Sequence, residues 1–292
     1  MGGAFDLTDH WRAVRVVLVR PGGWPHASAV AEIMEALVHG FRALGIAADS
    51  GENEVAQGAV NIFFMAHVMG VHDAARLPPG SVIYNFEQVG GEVNVLTPAF
   101  RRAIAEHRVW DYSRRNMERL APLIGHERRQ VVQVGYVPAL SRILRAPVQD
   151  IDVLFYGAVN ARRRDILVAL HEAGLKVHAP FGIYGDERDA LIARAKVVLN
   201  IHAHPTKVLE MVRISYLLAN RKAVVTEMDA ETEAEADIAD AVAGVSYDHL
   251  VDECVRLVAD AAARQDLEDR GYAIFQRRDM VPILRRAIAE AT

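Results

Sequence analysis

Residues 197–227 read VVLNIHAHPTKVLEMVRISYLLANRKAVVTE. The run 197–201 has the length and apolar content of a buried strand, 206–219 predicts a helix, and 223–225 predicts a second strand. Strand, helix and strand in that order make a unit of parallel-sheet type. His202, His204, Pro205, Thr206 and Lys207 fall where the first strand gives way to the helix. Ligands of open α/β sheets gather outside the carboxyl ends of strands. A helix opening at Pro205 and Thr206 would present N–H groups without internal partners. Those donors and the helix dipole favour an anion, and Lys207 adds a full positive charge.

The helix is apolar on nearly every side, with Val208, Leu209, Met211, Val212, Ile214, Leu217 and Leu218, so it is expected to be buried. Lys207, Glu210 and Arg213 occupy its first turns at intervals of three, and charges on a buried helix need partners. Two readings stand. Glu210 and Arg213 form an i,i+3 pair near the surface, or these residues hold a phosphate and a sugar hydroxyl.

The same alternation extends in both directions. Toward the N-terminus, 152–156 (DVLFY) predicts a strand ending at Gly157. Ala158, Val159 and Asn160 form a turn, and 161–174 predicts a helix stopped by Gly174. A strand at 175–178 and a short helix at 188–195 lead back to the starting stretch. Arg162, Arg163 and Arg164 open the helix at 161. Basic residues there oppose the macrodipole. They point to an anionic partner such as a diphosphate, or to a solvated turn balanced by Asp165 and Glu172. This turn is expected to lie beside the one at Thr206. Toward the C-terminus, 244–247 predicts a strand, 249–263 an amphipathic helix, and the segment from 266 is mostly helical. Its last helix, 281–289, carries Val281, Ile283, Leu284 and Ile288.

The first half repeats the pattern. Strands are predicted at 15–19, 46–48, 60–65, 81–86, 108–111 and 131–134. Ser28 is a candidate N-cap for a helix reaching Ala43, with Gly45 as its stop, and Ser113 a candidate cap for the helix after it. Strands alternating with helices imply doubly wound parallel sheets. Residues 136–150 (YVPALSRILRAPVQD), bracketed by Pro138 and Pro147, read as a connection. The domains are therefore placed at 1–148 and 149–292. Three polar residues fall at strand ends of the first half: His26, Glu87 and Asp111. His26 suits a general base and equally a packing or capping role; Glu87 suits a base or a hydroxyl acceptor and equally a solvated acid. The Gly-Gly pair beside His26 is no dinucleotide fingerprint.

The chain has 292 residues, 51% of them hydrophobic, and a net charge of -5. The length accommodates two domains, and the negative balance argues against a nucleic-acid partner. Cys254 is the only cysteine, so no internal disulfide forms and a reducing, cytoplasmic setting is expected. No apolar run reaches the length of a membrane span, and residues 1–12 lack a signal-peptide core. His202 and His204 have no nearby carboxylate in sequence and make a weak metal pair.

Two Rossmann-like halves and a helical tail resemble the GT-B glycosyltransferases, and within them the CgeB-like bacterial group. The resemblance covers most of the chain and is carried by DVLFYGAVNARR, ARAKVVLNIH and KVLEMVRISYLLANRKAVVTE. It implies two Rossmann-like domains facing a cleft, with the last helix crossing back to the first. It also implies a cytoplasmic, metal-independent enzyme without cofactor that moves a sugar from a nucleotide-diphosphate sugar to an acceptor hydroxyl. The acceptor, whether glycan, protein or small molecule, stays open, as does retention against inversion. The donor would meet Gly157, Arg162, Arg163, His202, His204, Thr206, Lys207, Glu210 and Arg213. Glu210 would hold the ribose and, if the enzyme inverts, His26 or Glu87 would take the acceptor proton. The sequence departs from the family in two places. His202 stands where retaining members carry the earlier of two glutamates, and Asn220, Arg221 and Lys222 replace a segment that usually has glycine. An epimerase of the same fold, a non-catalytic nucleotide-sugar-binding subunit and an unrelated tandem Rossmann enzyme are the alternatives.

Overall fold

A computed structural model describes residues 11–90, 95–232 and 234–290. The reading of residues 1–12 lies almost wholly outside them. The chain is α/β and contains two parallel sheets. The first has β1 (Ala13–Leu18), β2 (Ala47–Glu52), β3 (Val60–Phe64), β4 (Val82–Asn85), β5 (Arg108–Asp111) and β6 (Arg129–Val131), in the order β2-β1-β3-β4-β5-β6. The second has β7 (Ile151–Leu154), β8 (Val177–His178), β9 (Ala195–Asn200), β10 (Ala223–Glu227) and β11 (Ala243–Val245), in the order β11-β10-β9-β7-β8. The pairings are parallel throughout.

The helices of the first half are α1 (Ala31–Ala43), α2 (Val71–Ala74), α3 (Pro98–Glu106) and α4 (Arg114–Leu120). Those of the second are α5 (Ala161–Glu172), α6 (Gly185–Arg194), α7 (Met211–Ala219), α8 (Ala236–Ala241), α9 (Leu250–Ala259) and α10 (Ala261–Gln276), and α11 (Met280–Ala289) ends the chain. Central strands covered on both faces lose their polar alternation. Accordingly β3 and β10 are buried at every position.

Two compact units result, residues 136–278 and residues 1–135 with 279–292. The second unit's core joins Val153, Val197, Leu199 and Val225 of its sheet to Ile166 and Leu170 of α5 and to Leu250, Cys254 and Leu257 of α9. The final helix packs on the first unit, where Gly40 of α1 makes room for it. A Cβ at Gly40 would come within 2.6 Å of Leu284.

Several expected boundaries move, each for a local reason. The helix predicted from 206 begins only at Met211. Lys207 takes a φ of 50°, which an α-helix cannot hold, and Val208 and Leu209 are both buried outside the helix. Ser28 caps nothing: Pro25–Val30 form a 3-10 turn before α1, and the Ser28 hydroxyl accepts from Arg20 instead. The helix predicted over 249–263 is two helices, because Asp260 leaves the helical region and accepts from the Ala262 and Ala263 amides as the cap of α10. The sixth strand lies at Arg129–Val131, ahead of the predicted 131–134.

Candidate functional site

In the second sheet the carboxyl ends of β7, β9 and β10 are neighbours, and the chain turns that follow them carry a connected set of charged groups. After β7 the chain passes Phe155, Tyr156 and Gly157 into α5, whose N-cap Asn160 accepts from the Arg163 amide at 3.0 Å. Asn160 also donates to the Ala203 carbonyl at 3.3 Å. The turn at Arg162 therefore lies against the segment after β9, as the parallel register requires.

The arginines that open α5 are occupied by the protein. Arg162 clamps Glu227, the last residue of β10, with both guanidinium branches, one at 2.5 Å. The Tyr247 ring lies 3.9 Å below the Arg162 guanidinium, and its hydroxyl donates to the Arg162 carbonyl. Glu227 is 2% exposed, and this bidentate pair supplies the geometry a buried carboxylate needs. The second oxygen of Glu227 also accepts from the His202 amide at 3.1 Å. Arg163 is buried and spends its donors on backbone carbonyls, giving Nε and Nη2 to Ile201 and Nη1 to Ala158. Burial, with Arg213 nearby, pulls its pKa down to about 10.

Asn200, the last residue of β9, organises the centre. Its Oδ1 accepts from Arg213 Nη1 at 2.5 Å, and its Nδ2 donates to Glu210 Oε2 at 2.8 Å and to Thr226 Oγ1 at 2.9 Å. Glu210 and Arg213 are thus linked through Asn200, in place of the direct i,i+3 pair. Arg213 also donates to the Tyr156 carbonyl at 2.8 Å, while its buried Nε has no partner. Gly157, with φ 136°, permits this approach, since a Cβ there would stand 2.8 Å from Arg213 Nη2.

Glu210 is the N-cap residue of α7, one turn earlier in its helix than expected. Its two oxygens differ. Oε2 accepts from Asn200 and lies 3.3 Å from His202 Nδ1, whereas Oε1 has no hydrogen-bond partner and lies 3.9 Å from Arg163. Burial alone would raise the pKa of this carboxyl. His202, Asn200 and Arg213 outweigh that cost and hold it below the usual carboxylate range. His202 is buried, with Nε2 3.4 Å from Thr232 Oγ1. His204 is half-buried and its Nδ1 finds no partner.

Lys207 differs from expectation most. It lies outside α7, so its charge does not add to the first turn of that helix. Its Nζ donates to Asp229 Oδ2 at 2.6 Å and to Glu231 Oε2 at 2.8 Å. Thr206, likewise outside the helix, is buried. Thr206 and Lys207 therefore do not open a helix; that start lies at Glu210 and Met211.

The first unit gathers a second group. The Trp24 ring meets His26 edge-on at 5.8 Å and His67 at 6.5 Å, and His67 Nε2 lies 3.9 Å from Glu87 Oε1. His26 and Glu87 thus belong to one cluster, connected by Trp24 and His67, which the sequence reading passed over. The signal was present: His67 follows the end of β3 as Glu87 follows the end of β4. Burial lowers the His67 pKa to about 4 and raises that of Glu87, so each is pushed toward its neutral form. Asp111, the third strand-end candidate, is fully buried. It accepts from Asn85 at 2.6 Å, the Ser113 amide at 2.8 Å and Asn116 at 3.3 Å, which makes it a fastening of the β4 and β5 ends. Asn200, Thr226 and Glu227 were also missed. Each is a polar residue closing an apolar strand, a position where the parallel sheet leaves side chains at the ligand-binding edge.

Among the described residues no group of three or more His, Cys, Asp or Glu side chains is placed to hold a metal ion, and no helix is long and apolar enough to cross a membrane.

No protein-family model matches the sequence, and no curated protein matches it. Solved structures do match over nearly the whole chain. HepE from Anabaena, solved with UDP and glucose, superposes with a TM-score of 0.61 at 14% identity, over 96% of this chain and 99% of that one. A glycosyltransferase from Rickettsia africae gives 0.58 at 9% identity, over 95% and 97%. WaaG, a glycosyltransferase of lipopolysaccharide biosynthesis, gives 0.55 at 12% identity, over 96% and 99%. The fold is that of these GT-B glycosyltransferases.

Proposed function

We propose that the chain is a glycosyltransferase. It would move a sugar from a nucleotide-diphosphate sugar to an acceptor hydroxyl without a metal or other cofactor, as a relative of the CgeB-like group. The observation that carries this reading is Glu210 itself. An ionised carboxylate is held on one side by Asn200 and His202 and leaves Oε1 without a hydrogen-bond partner, at the start of a helix and the carboxyl edge of a parallel sheet. A carboxylate so placed accepts from the ribose hydroxyls of a nucleotide. That the same fold in HepE was solved with UDP and glucose supports the reading.

In the reaction the bond between the anomeric carbon and the diphosphate oxygen breaks, and a bond to the acceptor oxygen forms. Negative charge grows on the leaving diphosphate, and fixed donors that meet it lower the barrier. Arg213, whose buried Nε has no partner, and the half-exposed Arg162 are the cations assigned to it. Arg163 positions the turns by gripping two backbone carbonyls. Lys207, neutralised by Asp229 and Glu231, takes part only if the donor displaces those carboxylates. On the acceptor side, if the enzyme inverts, the hydroxyl proton goes to Glu87, whose proton affinity burial has raised, or to His26 in the same cluster.

The test is calorimetric titration with a panel of nucleoside diphosphates and their sugars, followed by product analysis of the donors that bind. Binding of at least one, weakened about ten- to a hundredfold in Arg213→Met as expected for a lost charge-assisted contact, supports the proposal. A folded chain that binds no member of the panel removes it. Epimerised donor without transfer would assign the epimerase reading instead.

A further inference from the structure

The second unit holds another polar site, at the opposite end of α7. The helix puts about 14 Å between Glu210 and this region. A cavity of about 310 Å³ opens beside Ser141, Arg145, Asn220, Arg221, Lys222 and Tyr272. Lys222 is the first unusual feature. It is 3% exposed, yet its ammonium has no hydrogen-bond partner. A buried unpaired charge is costly, and natural chains rarely keep one without use.

The neighbouring charges do not absorb it. Arg145 is paired with Glu268 of α10, a carboxylate 1% exposed. Arg221 pairs with Asp269 at 3.0 Å and lies 3.7 Å over the Tyr272 ring. Glu268 keeps a second buried oxygen without a hydrogen-bond partner and reaches Lys222 only as a nearby charge, so three cations, Arg145, Arg221 and Lys222, share two carboxylates. The carbonyls that close α7 are also engaged. Ala219 O accepts from Ser141 Oγ at 2.7 Å, Leu217 O from the Asn220 and Lys222 amides, and Leu218 O from the Arg221 amide. The negative end of the helix is therefore largely answered by the protein. Burial, reinforced by Arg145 and opposed by Glu268, brings the Lys222 pKa down to about 8, consistent with an ammonium waiting for a counter-charge. Arg221 holds a φ of 52° as the left-handed residue that terminates α7, and this turn sets Lys222 beside the cavity.

We propose that this cavity binds a phosphate group, held by the Lys222 ammonium with Arg145 and Arg221 at its sides. Phosphate accepts several charge-assisted bonds at once from guanidinium and ammonium donors. The cavity is larger than a phosphate ion, and Ile143 and Leu144 line it as well, so a small phosphate monoester fits its character better than the free ion. The proposal does not depend on nucleotide binding at Glu210.

Thermal unfolding of the full chain in rising inorganic phosphate, and separately in rising glycerol 3-phosphate, tests it. A ligand that binds only the folded state raises its stability. Saturable stabilisation by either probe, at least tenfold weaker in Lys222→Met, is the expected result, and the stronger probe tells free phosphate from a monoester. Lys222→Met should also raise the melting temperature without phosphate, because it removes the unpaired charge. As a measurement that needs no variant, Lys222 acylation in the native chain, read by mass spectrometry, should slow when phosphate is added. Failure of both probes to stabilise the native chain, equal stabilisation of Lys222→Met, or acylation indifferent to phosphate would each overturn the proposal.

Discussion

Replacing Glu210 by Gln changes one charge and almost no volume, so it isolates what ionisation contributes to the site. The Gln carbonyl can still accept from Asn200 Nδ2. What disappears is the negative charge 3.3 Å from His202 Nδ1 and 3.9 Å from Arg163. Arg163, 6% exposed, loses its nearby counter-charge, and Arg213 loses the carboxylate it acts on. A hydrogen bond to a charged group contributes about 1.5–3 kcal/mol against about 0.5–1.5 kcal/mol for a neutral one. The loss of balance for two arginines adds to that difference. A net destabilisation of roughly 2 kcal/mol at pH 7 follows, which lowers the melting temperature by about 4–8 °C for a chain of this size.

The pH dependence gives the sign. The Glu210 carboxyl is held below its ordinary value, so the stability it contributes is complete above the ordinary carboxylate range. That contribution is lost as the pH falls through its depressed value. The gap between the native chain and Glu210→Gln should therefore be full at pH 7 and close on acidification. Differential scanning calorimetry at a series of pH values measures it. Equal melting temperatures at neutral pH, or a gap that persists in acid, would refute the charge-balance account. Nucleotide titration of the same variant asks the separate question of Oε1: normal affinity in a chain that melts early would leave Glu210 a purely structural role.

Three further outcomes can be checked on the same material. Gly157→Ala should lose more than about 1 kcal/mol in urea denaturation, because the new Cβ meets Arg213 Nη2 at 2.8 Å in a backbone region alanine avoids. His67, with its pKa lowered to about 4, is neutral at pH 7, and its contribution to stability falls away from pH 6.5 downward; His67→Gln should flatten the decline between pH 6.5 and 4, and an imidazole titrating near 6.5 by NMR would contradict this. Cys254 is fully buried with its thiol pKa pushed up by burial, so it should react with a thiol reagent no faster than the chain unfolds, and rapid labelling of the native protein would be the contrary result.

The sheets were legible because burial on both faces writes a parallel strand as an unbroken apolar run. VNIFF and AVVTE need little more than their side chains to be recognised. Two helix starts were legible because a polar side chain caps them in place. Ser113 and Asn160 do so, accepting from the Asn116 and Arg163 amides. The start of α7 has no such cap, and the apolar residues ahead of it, Val208 and Leu209, carry helical spacing without helical backbone. Their burial decides the local conformation, and burial depends on partners distant in sequence. The same limit hid the pairing of Arg162 with Glu227 and of Lys207 with Asp229, which lie 65 and 22 positions apart.

The misplaced start of α7 alters the chemistry assigned to the site. Had the helix begun at Thr206, its free amides and Lys207 would have formed a dedicated anion pocket, with Glu210 a turn inside. With the start at Met211, the carboxylate itself occupies the helix N-terminus, where the dipole favours it, and the basic groups nearby come from α5 and α7 side chains. A group binding at this edge has to uncover two buried atoms that lack hydrogen-bond partners, Glu210 Oε1 and Arg213 Nε, an acceptor and a donor on the same network. That pairing suits a ligand offering hydroxyls next to a phosphate, and a bare anion would have to approach Glu210 against its charge. Free sulfate or phosphate should therefore compete poorly with a nucleoside diphosphate here, whereas at the Lys222 cavity, with its uncompensated ammonium, they should bind without the nucleoside.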